Sequence, residues 1–321
     1  WTSGDSLYSG AQYQIKANIT NNNTSKSIVL TSGTNTTGAI QTGLPTSNVV
    51  SSGFTSGSYL SGGPMSVGGV ISLANIVAAE GCGQTGTIVY IDNLGRMDYT
   101  YSGTVATNTA EARDYLRSIW LTGVKCVKLS SNSGASSTYQ YFGVVLSNGK
   151  LLMWGTTNTY TTVTMKNVCG GQNGAVLNTH YTLVGATSKL YLSNGTNYAD
   201  IACGGYHAIA LFTDGKVYSS VGNTQPSPIV FTSNTLPAAE STTTFTKVAA
   251  GNFHSIGLRT NGTVVCWGHG ATNTGTSFLF GQAIVPSGLG LCIDIAAGGY
   301  VGVGGHSVAV KSNGDVWAWG D

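Results

Sequence analysis

Val248-Ala249-Ala250-Gly251-Asn252-Phe253-His254-Ser255-Ile256-Gly257-Leu258, continued by Thr260-Asn261-Gly262-Thr263-Val264-Val265-Cys266-Trp267-Gly268, is the stretch whose reading decides the fold. A run of small residues leads through a glycine turn into an alternating apolar run. An Asn-Gly pair then precedes a third apolar run that ends on Trp-Gly. Asn-Gly between alternating segments is a strong hairpin signal, and the turn it predicts is the two-residue type I′ form. The stretch therefore reads as three short antiparallel strands.

Copies of the pattern lie on both sides. Ile201 to Leu211 with Thr213-Asp214-Gly215-Lys216-Val217-Tyr218 is one; Ile295 to Tyr300, then His306 to Val310 and Ser312-Asn313-Gly314-Asp315-Val316-Trp317-Ala318-Trp319-Gly320, is another. Fainter copies are Phe142 to Leu146 with Asn148-Gly149 and Leu151 to Gly155, and Cys169-Gly170-Gly171 with Tyr181 to Val184 and Ser188 to Tyr191. Two degenerate ones are Val77 to Gly81 with Thr87 to Tyr90 and Asn93 to Met97, and Ser27 to Leu30 with Thr31-Ser32-Gly33. Seven units share 321 residues, which is about 46 residues each and within the roughly 40 to 50 of a propeller blade.

A small residue, Gly-Gly, an aromatic and His, followed by Asp/Asn-Gly-x-Val-x-x-Trp-Gly, resembles the regulator of chromosome condensation repeat. The resemblance is regular over 124–321 and degenerate over 1–123. It implies an all-β fold: a single seven-bladed β-propeller over 1–321. The family sets N-terminal residues in the last blade, so the ends Trp1-Thr2-Ser3-Gly4-Asp5 and Trp317-Ala318-Trp319-Gly320-Asp321 are expected to close the ring. Closure satisfies strand edges that otherwise invite aggregation. Family members include a nucleotide exchange factor, secreted inhibitors, ubiquitin-ligase modules and phage proteins, so the resemblance implies a fold without fixing a function.

Only 8% of residues are charged and 41% are hydrophobic, so a core forms while uncharged Thr, Ser and Asn cover the surface. Such surfaces are common among secreted, adhesive and virion-fibre proteins. A net charge of +2 with no basic run gives no source of phosphate neutralisation, so nucleic acid is not an expected partner. No apolar stretch is long enough to span a bilayer, and no membrane insertion is expected. The start lacks both an initiator Met and a signal peptide, which reads as a domain excised from a longer chain.

One segment breaks the all-β pattern. Ala112, Tyr115, Leu116, Ile119 and Trp120 recur at helical spacing, with Asn108 and Glu111 as a start signal and Gly123 as a stop. This predicts one short inserted helix, either a lid on the propeller or an interaction helix presenting Tyr115, Arg117 and Trp120 to a partner. His207, His254 and His306 repeat from blade to blade, whereas catalysis needs one asymmetric constellation. They are read as structural. Cys169 and Cys203 stand before Gly-Gly where other units carry Ala250 and Ala297, as small buried hydrophobes do. No Cys-x-x-Cys or His spacing suits zinc, and no glycine-rich loop is followed by the helix and Lys of a phosphate site.

The expectation is thus a non-enzymatic structural propeller with no catalytic residue, metal or cofactor. Its partners are a neighbouring protein or subunits of the same assembly, a homo-oligomer included, or a host-surface glycan. Its expected place is the virion, as a phage tail, fibre or capsid appendage, or the extracellular space. The alternatives are a cytoplasmic interaction module of the GTPase exchange-factor kind and a secreted enzyme inhibitor.

Overall fold

The computed structural model describes residues 12–19, 24–31, 76–82, 87–101, 105–132, 140–156, 159–170, 180–220, 236–275, 279–299 and 304–321. The chain divides into two units, residues 1–58 with 63–76 and residues 59–62 with 77–321. In the first, β1 (Gln12–Ile19) and β2 (Thr24–Thr31) pair antiparallel from Gln12↔Thr31 to Ile19↔Thr24.

The second unit is a succession of small sheets. β3 (Ile76–Cys82), β4 (Thr87–Asp92) and β5 (Met97–Thr100) form the first, and helix α1 (Thr109–Trp120) follows it. β6 (Cys126–Ser131), β7 (Tyr141–Leu146) and β8 (Leu151–Gly155) begin the second sheet; after helix α2 (Thr159–Gly170), β9 (Tyr181–Val184) and β10 (Leu190–Ser193) return to it, in the order β6-β7-β8-β10-β9. Three three-stranded sheets complete the unit: β11 (Tyr198–Cys203), β12 (Ala208–Phe212) and β13 (Val217–Ser219); β14 (Phe245–Ala250), β15 (His254–Arg259) and β16 (Val264–Gly268); β17 (Cys292–Gly299), β18 (Gly305–Lys311) and β19 (Val316–Gly320).

Apolar layers alternate with the sheets. Phe142, Val144 and Trp154 of the second sheet meet Val89, Ile91 and Met97 of the first, with Ala112 and Leu116 of α1 between them. On the other side of the second sheet, Val145, Leu151 and Met153 pack on Ala208, Ala210 and Phe212 of the third. Ile209 and Leu211 face Phe245, Val248 and Trp267 of the fourth; Ile256 and Leu258 face Cys292, Ile295 and Ala309 of the fifth. Successive strand residues point to opposite faces and both faces are covered, which is why β7, β8 and β12 are apolar and buried throughout.

Two local devices recur. Each of the inner strands β6, β11, β14 and β17 shifts register over its first three residues, between Cys126/Lys128, Tyr198/Asp200, Phe245/Lys247 and Cys292/Asp294. In these bulges one extra residue turns outward. The second device is the hairpin, whose glycines Gly95, Gly149, Gly215, Gly262 and Gly314 have φ between 75° and 91°.

The hairpins correct the type I′ expectation. Only the glycine has positive φ; Asn148, Asp214, Asn261 and Asn313 do not. Each glycine N–H instead donates to the carbonyl three residues back, as Gly262 does to Arg259 (2.9 Å), and Arg259 N–H closes the ladder on Thr263 (2.9 Å). That is a type I turn with a glycine bulge. The Asx side chain accepts the N–H two residues on, at 2.9 Å for Asp214 and 3.0 Å for Asn261. In the first sheet Leu94 takes the Asx position, and Asp92 supplies the missing oxygen to Leu94 N and Arg96 N.

Two further expectations change. The unit assigned to Cys169 through Tyr191 is not a separate blade: Cys169 lies in α2, a second helix beside the one expected, and β10 pairs with β8 through Tyr191↔Met153. Among the described residues the second unit thus holds five sheets where six repeats were assigned to its sequence. The proposed closing residues Trp1 to Asp5 lie outside the described residues.

Candidate interaction surface and the inter-blade ladder

The repeated histidines occupy one register position. Ala208, Ser255 and Ser307 pair with Cys203, Ala250 and Ala297, which places His207, His254 and His306 alike, and Tyr141 precedes them in the second sheet through Ser131↔Phe142. Each buried member bonds forward into the next sheet. The Tyr141 hydroxyl is shared between the Gly204 and His207 carbonyls, both at 2.5 Å. His207 Nε2 lies 2.9 Å from Ser255 Oγ, and His254 Nε2 lies 3.0 Å from Ser307 Oγ.

The last contact fixes a tautomer. Ser307 donates its hydroxyl proton to the Gln282 carbonyl at 2.8 Å, so His254 must be the donor through Nε2. Burial lowers the His207 pKa to about 4. For His254 burial, reinforced by the other histidines, lowers it to about 3. Both rings are neutral at physiological pH. His306 has the same register but an exposed ring, as the fifth sheet has no successor among the described residues.

The Gly-Gly turns follow from this crowding. A Cβ on Gly204 would lie 2.6 Å from the Gly251 carbonyl and 2.8 Å from His207 Nδ1. One on Gly251 would lie 2.6 Å from His254 Nδ1 and 2.8 Å from the Gly298 carbonyl. These glycines are required by close approach and not by positive φ. Above them the rings of Tyr206 and Phe253 stack at 5.2 Å and 4°.

At the opposite strand ends a second set of rungs joins the sheets. The hairpin carbonyls of Gly95, Gly149, Gly215 and Gly262 accept the N–H of Cys126, Tyr198, Phe245 and Cys292, each the first residue of the next inner strand, at 2.7–3.0 Å. Directly after each bulge stands a charge, and its sign alternates: Lys128, Asp200, Lys247, Asp294. Lys247 Nζ lies 2.5 Å from Asp294 Oδ1. Burial raises the Asp200 pKa; the Ile201 N–H and then Lys128 and Lys247 oppose that rise.

The hairpin end also carries large exposed apolar side chains: Leu94 (47%), Leu121 (79%), Val127 (50%), Leu291 (59%) and Ile293 (61%). Val127 and Ile293 are bulge residues, turned outward by the register shift. The sequence holds the signal for them, an apolar residue just before the alternating charge, but only the bulge shows which way it points. Tyr115, Arg117 and Trp120 of α1 engage the chain itself. Tyr115 packs on the first core layer, Arg117 binds Asp98 at 2.7 Å, and Trp120 Nε1 donates to Leu94 O at 3.1 Å beneath the Arg96 guanidinium. Burial raises the Asp98 pKa against Arg117.

Cys126, Cys169, Cys203, Cys266 and Cys292 are free thiols. Burial pushes Cys126 and Cys266 up to about 12 and Cys169 well above its ordinary value, which removes thiolate reactivity at neutral pH. Among the described residues no group of three His, Cys, Asp or Glu could hold a metal ion, and no helix is long and apolar enough to cross a membrane.

The model of the regulator of chromosome condensation (RCC1) repeat matches residues 198–220 and 245–273, which span the third and fourth sheets. No curated protein matches the chain. Among solved structures it is similar to human WBSCR16 (14% identity, TM-score 0.46, 76% of this chain and 62% of that one). It is similar to Prp20p of Saccharomyces cerevisiae, described with its binding to Gsp1p and histones (16%, 0.45, 76% and 57%). A third is the C-terminal domain of gp131 from bacteriophage phiKZ (15%, 0.31, 78% and 54%). The match spans less than two thirds of each of these chains.

Proposed function

We propose that this chain, which carries RCC1 repeats, is a non-enzymatic interaction scaffold whose sheets are the blades of a β-propeller. It works as a structural or attachment component of a virion, or as an extracellular protein, and holds a neighbouring subunit or a host-surface ligand. One observation carries the reading. The residues with chemical potential, His207, His254, Cys126 and Cys169, are buried and neutral, and the two histidines are spent on joining blades. The hairpin end meanwhile offers Leu121, Val127, Leu291 and Ile293 to solvent. Exposed apolar side chains on a surface poor in charge favour a protein partner over nucleic acid.

The test is where the polypeptide goes and what it holds. Mass spectrometry of purified virions and of culture medium should find it, and Leu121→Asp with Ile293→Asp should abolish its retention on the particle without changing its far-UV spectrum. Recovery solely from soluble host cytosol would overturn the placement. Accelerated nucleotide release from a GTPase would replace it with the exchange-factor reading that the sequence left open.

A further inference from the structure

Five Asn-Gly pairs stand in the sequence, at Asn148, Asn173, Asn194, Asn261 and Asn313. Asn-Gly is the dipeptide most open to one spontaneous reaction. The glycine main-chain nitrogen attacks the Asn Cγ, a five-membered succinimide forms, and the side-chain nitrogen leaves as ammonia. Water then opens the ring at either carbonyl to give aspartate or isoaspartate. The balance is one water taken up and one ammonia released, with no oxidant or reductant. Glycine permits the attack because it has no Cβ to obstruct the ring.

Three of the pairs lie in repeat hairpins, where the turn withholds the attacking nitrogen. The Gly149, Gly262 and Gly314 N–H groups donate to Leu146, Arg259 and Lys311 carbonyls at 2.8–2.9 Å. The Asn148, Asn261 and Asn313 side chains are turned forward, with Oδ1 accepting Lys150, Thr263 and Asp315 N–H at 3.0–3.2 Å. Attack requires the glycine nitrogen to lose its proton, so its hydrogen bond to the carbonyl three residues back must break first.

Asn194-Gly195 is built differently. It follows β10 instead of forming a repeat hairpin, and residues 194–197 are exposed. The Gly195 N–H makes no hydrogen bond among the described residues, and Gly195 is not in the positive-φ conformation of the hairpin glycines. Asn194 Oδ1 accepts the Thr182 hydroxyl at 2.8 Å. That bond draws electron density from Cγ and would stabilise the oxyanion of the tetrahedral intermediate. The Asn194 backbone is meanwhile anchored, its N–H donating to His180 O at 2.9 Å.

We propose that Asn194-Gly195 is a deamidation site of the folded protein, with Thr182 as the positioning residue that polarises the reacting carbonyl. The product sets a new carboxylate, or an extra backbone methylene, on the segment joining β10 to β11. Asn173 lies outside the described residues and is followed only as a comparison.

The full chain, kept folded at mildly alkaline pH and sampled over weeks, is digested and mapped by mass spectrometry for the one-unit mass gain and for isoaspartate. The Asn194 peptide should convert at least several-fold faster than those of Asn148, Asn261 and Asn313. In denaturant the four rates should converge, because the protection is conformational. Equal or slower conversion at Asn194 in the folded protein would overturn the site. Thr182→Val should slow conversion at Asn194 alone while the melting temperature holds; an unchanged rate would remove Thr182 from the proposal. Gly195→Ala, whose added carbon needs only the exposed Asn197 side chain to give way from 3.2 Å and which hinders ring closure, should suppress the product while the melting temperature holds.

Discussion

Acid should loosen this protein well above the pH at which its carboxylates titrate, and the cause is two buried imidazoles. A histidine in the unfolded chain takes its proton near pH 6.5, whereas burial holds the folded-state values at about 4 for His207 and about 3 for His254. Between those limits the unfolded state binds more protons, so stability falls as pH falls. It is complete above pH 6.5 and is lost progressively on the way down to pH 4. Well below pH 6.5 each ring contributes a little over 1 kcal/mol per pH unit, so the pair approaches roughly 3 kcal/mol per unit and loses about 3 kcal/mol between pH 6.5 and 5, where the unfolded histidines are only partly protonated at the upper end. Both rings are fully buried, so solvent screening takes little from that figure. Asp98, Asp200 and Glu80, whose pKa values burial raises, act in the opposite sense, so a variant that lacks one histidine is what separates the imidazole contribution from theirs. The assay is urea unfolding followed by tryptophan fluorescence across that range. His254→Gln keeps a donor for Ser307 but does not titrate, and it should halve the slope. A flat profile, or an unchanged slope in His254→Gln, would refute the reasoning.

Gly251→Ala should cost about 1–3 kcal/mol from overpacking against His254 and the Gly298 carbonyl, whereas Gly81→Ala, whose added carbon meets Ile88 only at ordinary contact distance, should be near neutral in thermal unfolding. Arg117→Met strands the Asp98 carboxylate and should cost about 2 kcal/mol, less than for a fully buried pair; the loss should be larger at pH 8 than at pH 5 and should shrink in Asp98→Asn/Arg117→Met. Glu111 accepts Thr187 N–H at 2.6 Å and Thr187 Oγ1–H at 2.5 Å, so Glu111→Ala should speed hydrogen exchange of β9 and β10 while leaving β14 to β16 unchanged.

The repeats were legible because each strand is short, apolar and bounded by glycine. Turn type was not. Asn-Gly suits both a two-residue turn and a type I turn with a glycine bulge, and only the pairing of Leu258 with Val264 counts the residues between the strands. Cys169-Gly170-Gly171 imitated Cys203-Gly204-Gly205, although the first belongs to a helix. That helix, Thr-Tyr-Thr-Thr-Val-Thr-Met-Lys-Asn-Val-Cys-Gly, is rich in β-branched residues of low helix propensity and has no apolar stripe to betray it. Tertiary contacts hold it: Met165, Val168 and Cys169 are buried against the second and third sheets, and the Tyr198 hydroxyl meets the Val168 and Cys169 carbonyls. Helix α1 was found where its stripe placed it, yet Asn108 does not cap it. Its backbone is left-handed and its side-chain amide donates to Gly155 O at 2.7 Å. The interaction residues proposed on α1 are bound into the chain, and the exposed apolar positions Val127 and Ile293 were hidden by a bulge that has no period.

The detour between β8 and β11 has a practical use. Gly149 O holds Tyr198 N at 3.0 Å as firmly as the other hairpins hold their successors, so the register of the third sheet does not depend on what the chain does in between. Because lengthening a loop costs little closure entropy, this junction is a natural graft point. A peptide epitope or a second small domain with adjacent ends, spliced into the tip of the β9–β10 hairpin beside Thr187 so that its bonds to Glu111 are kept, should leave the register of the third sheet unchanged.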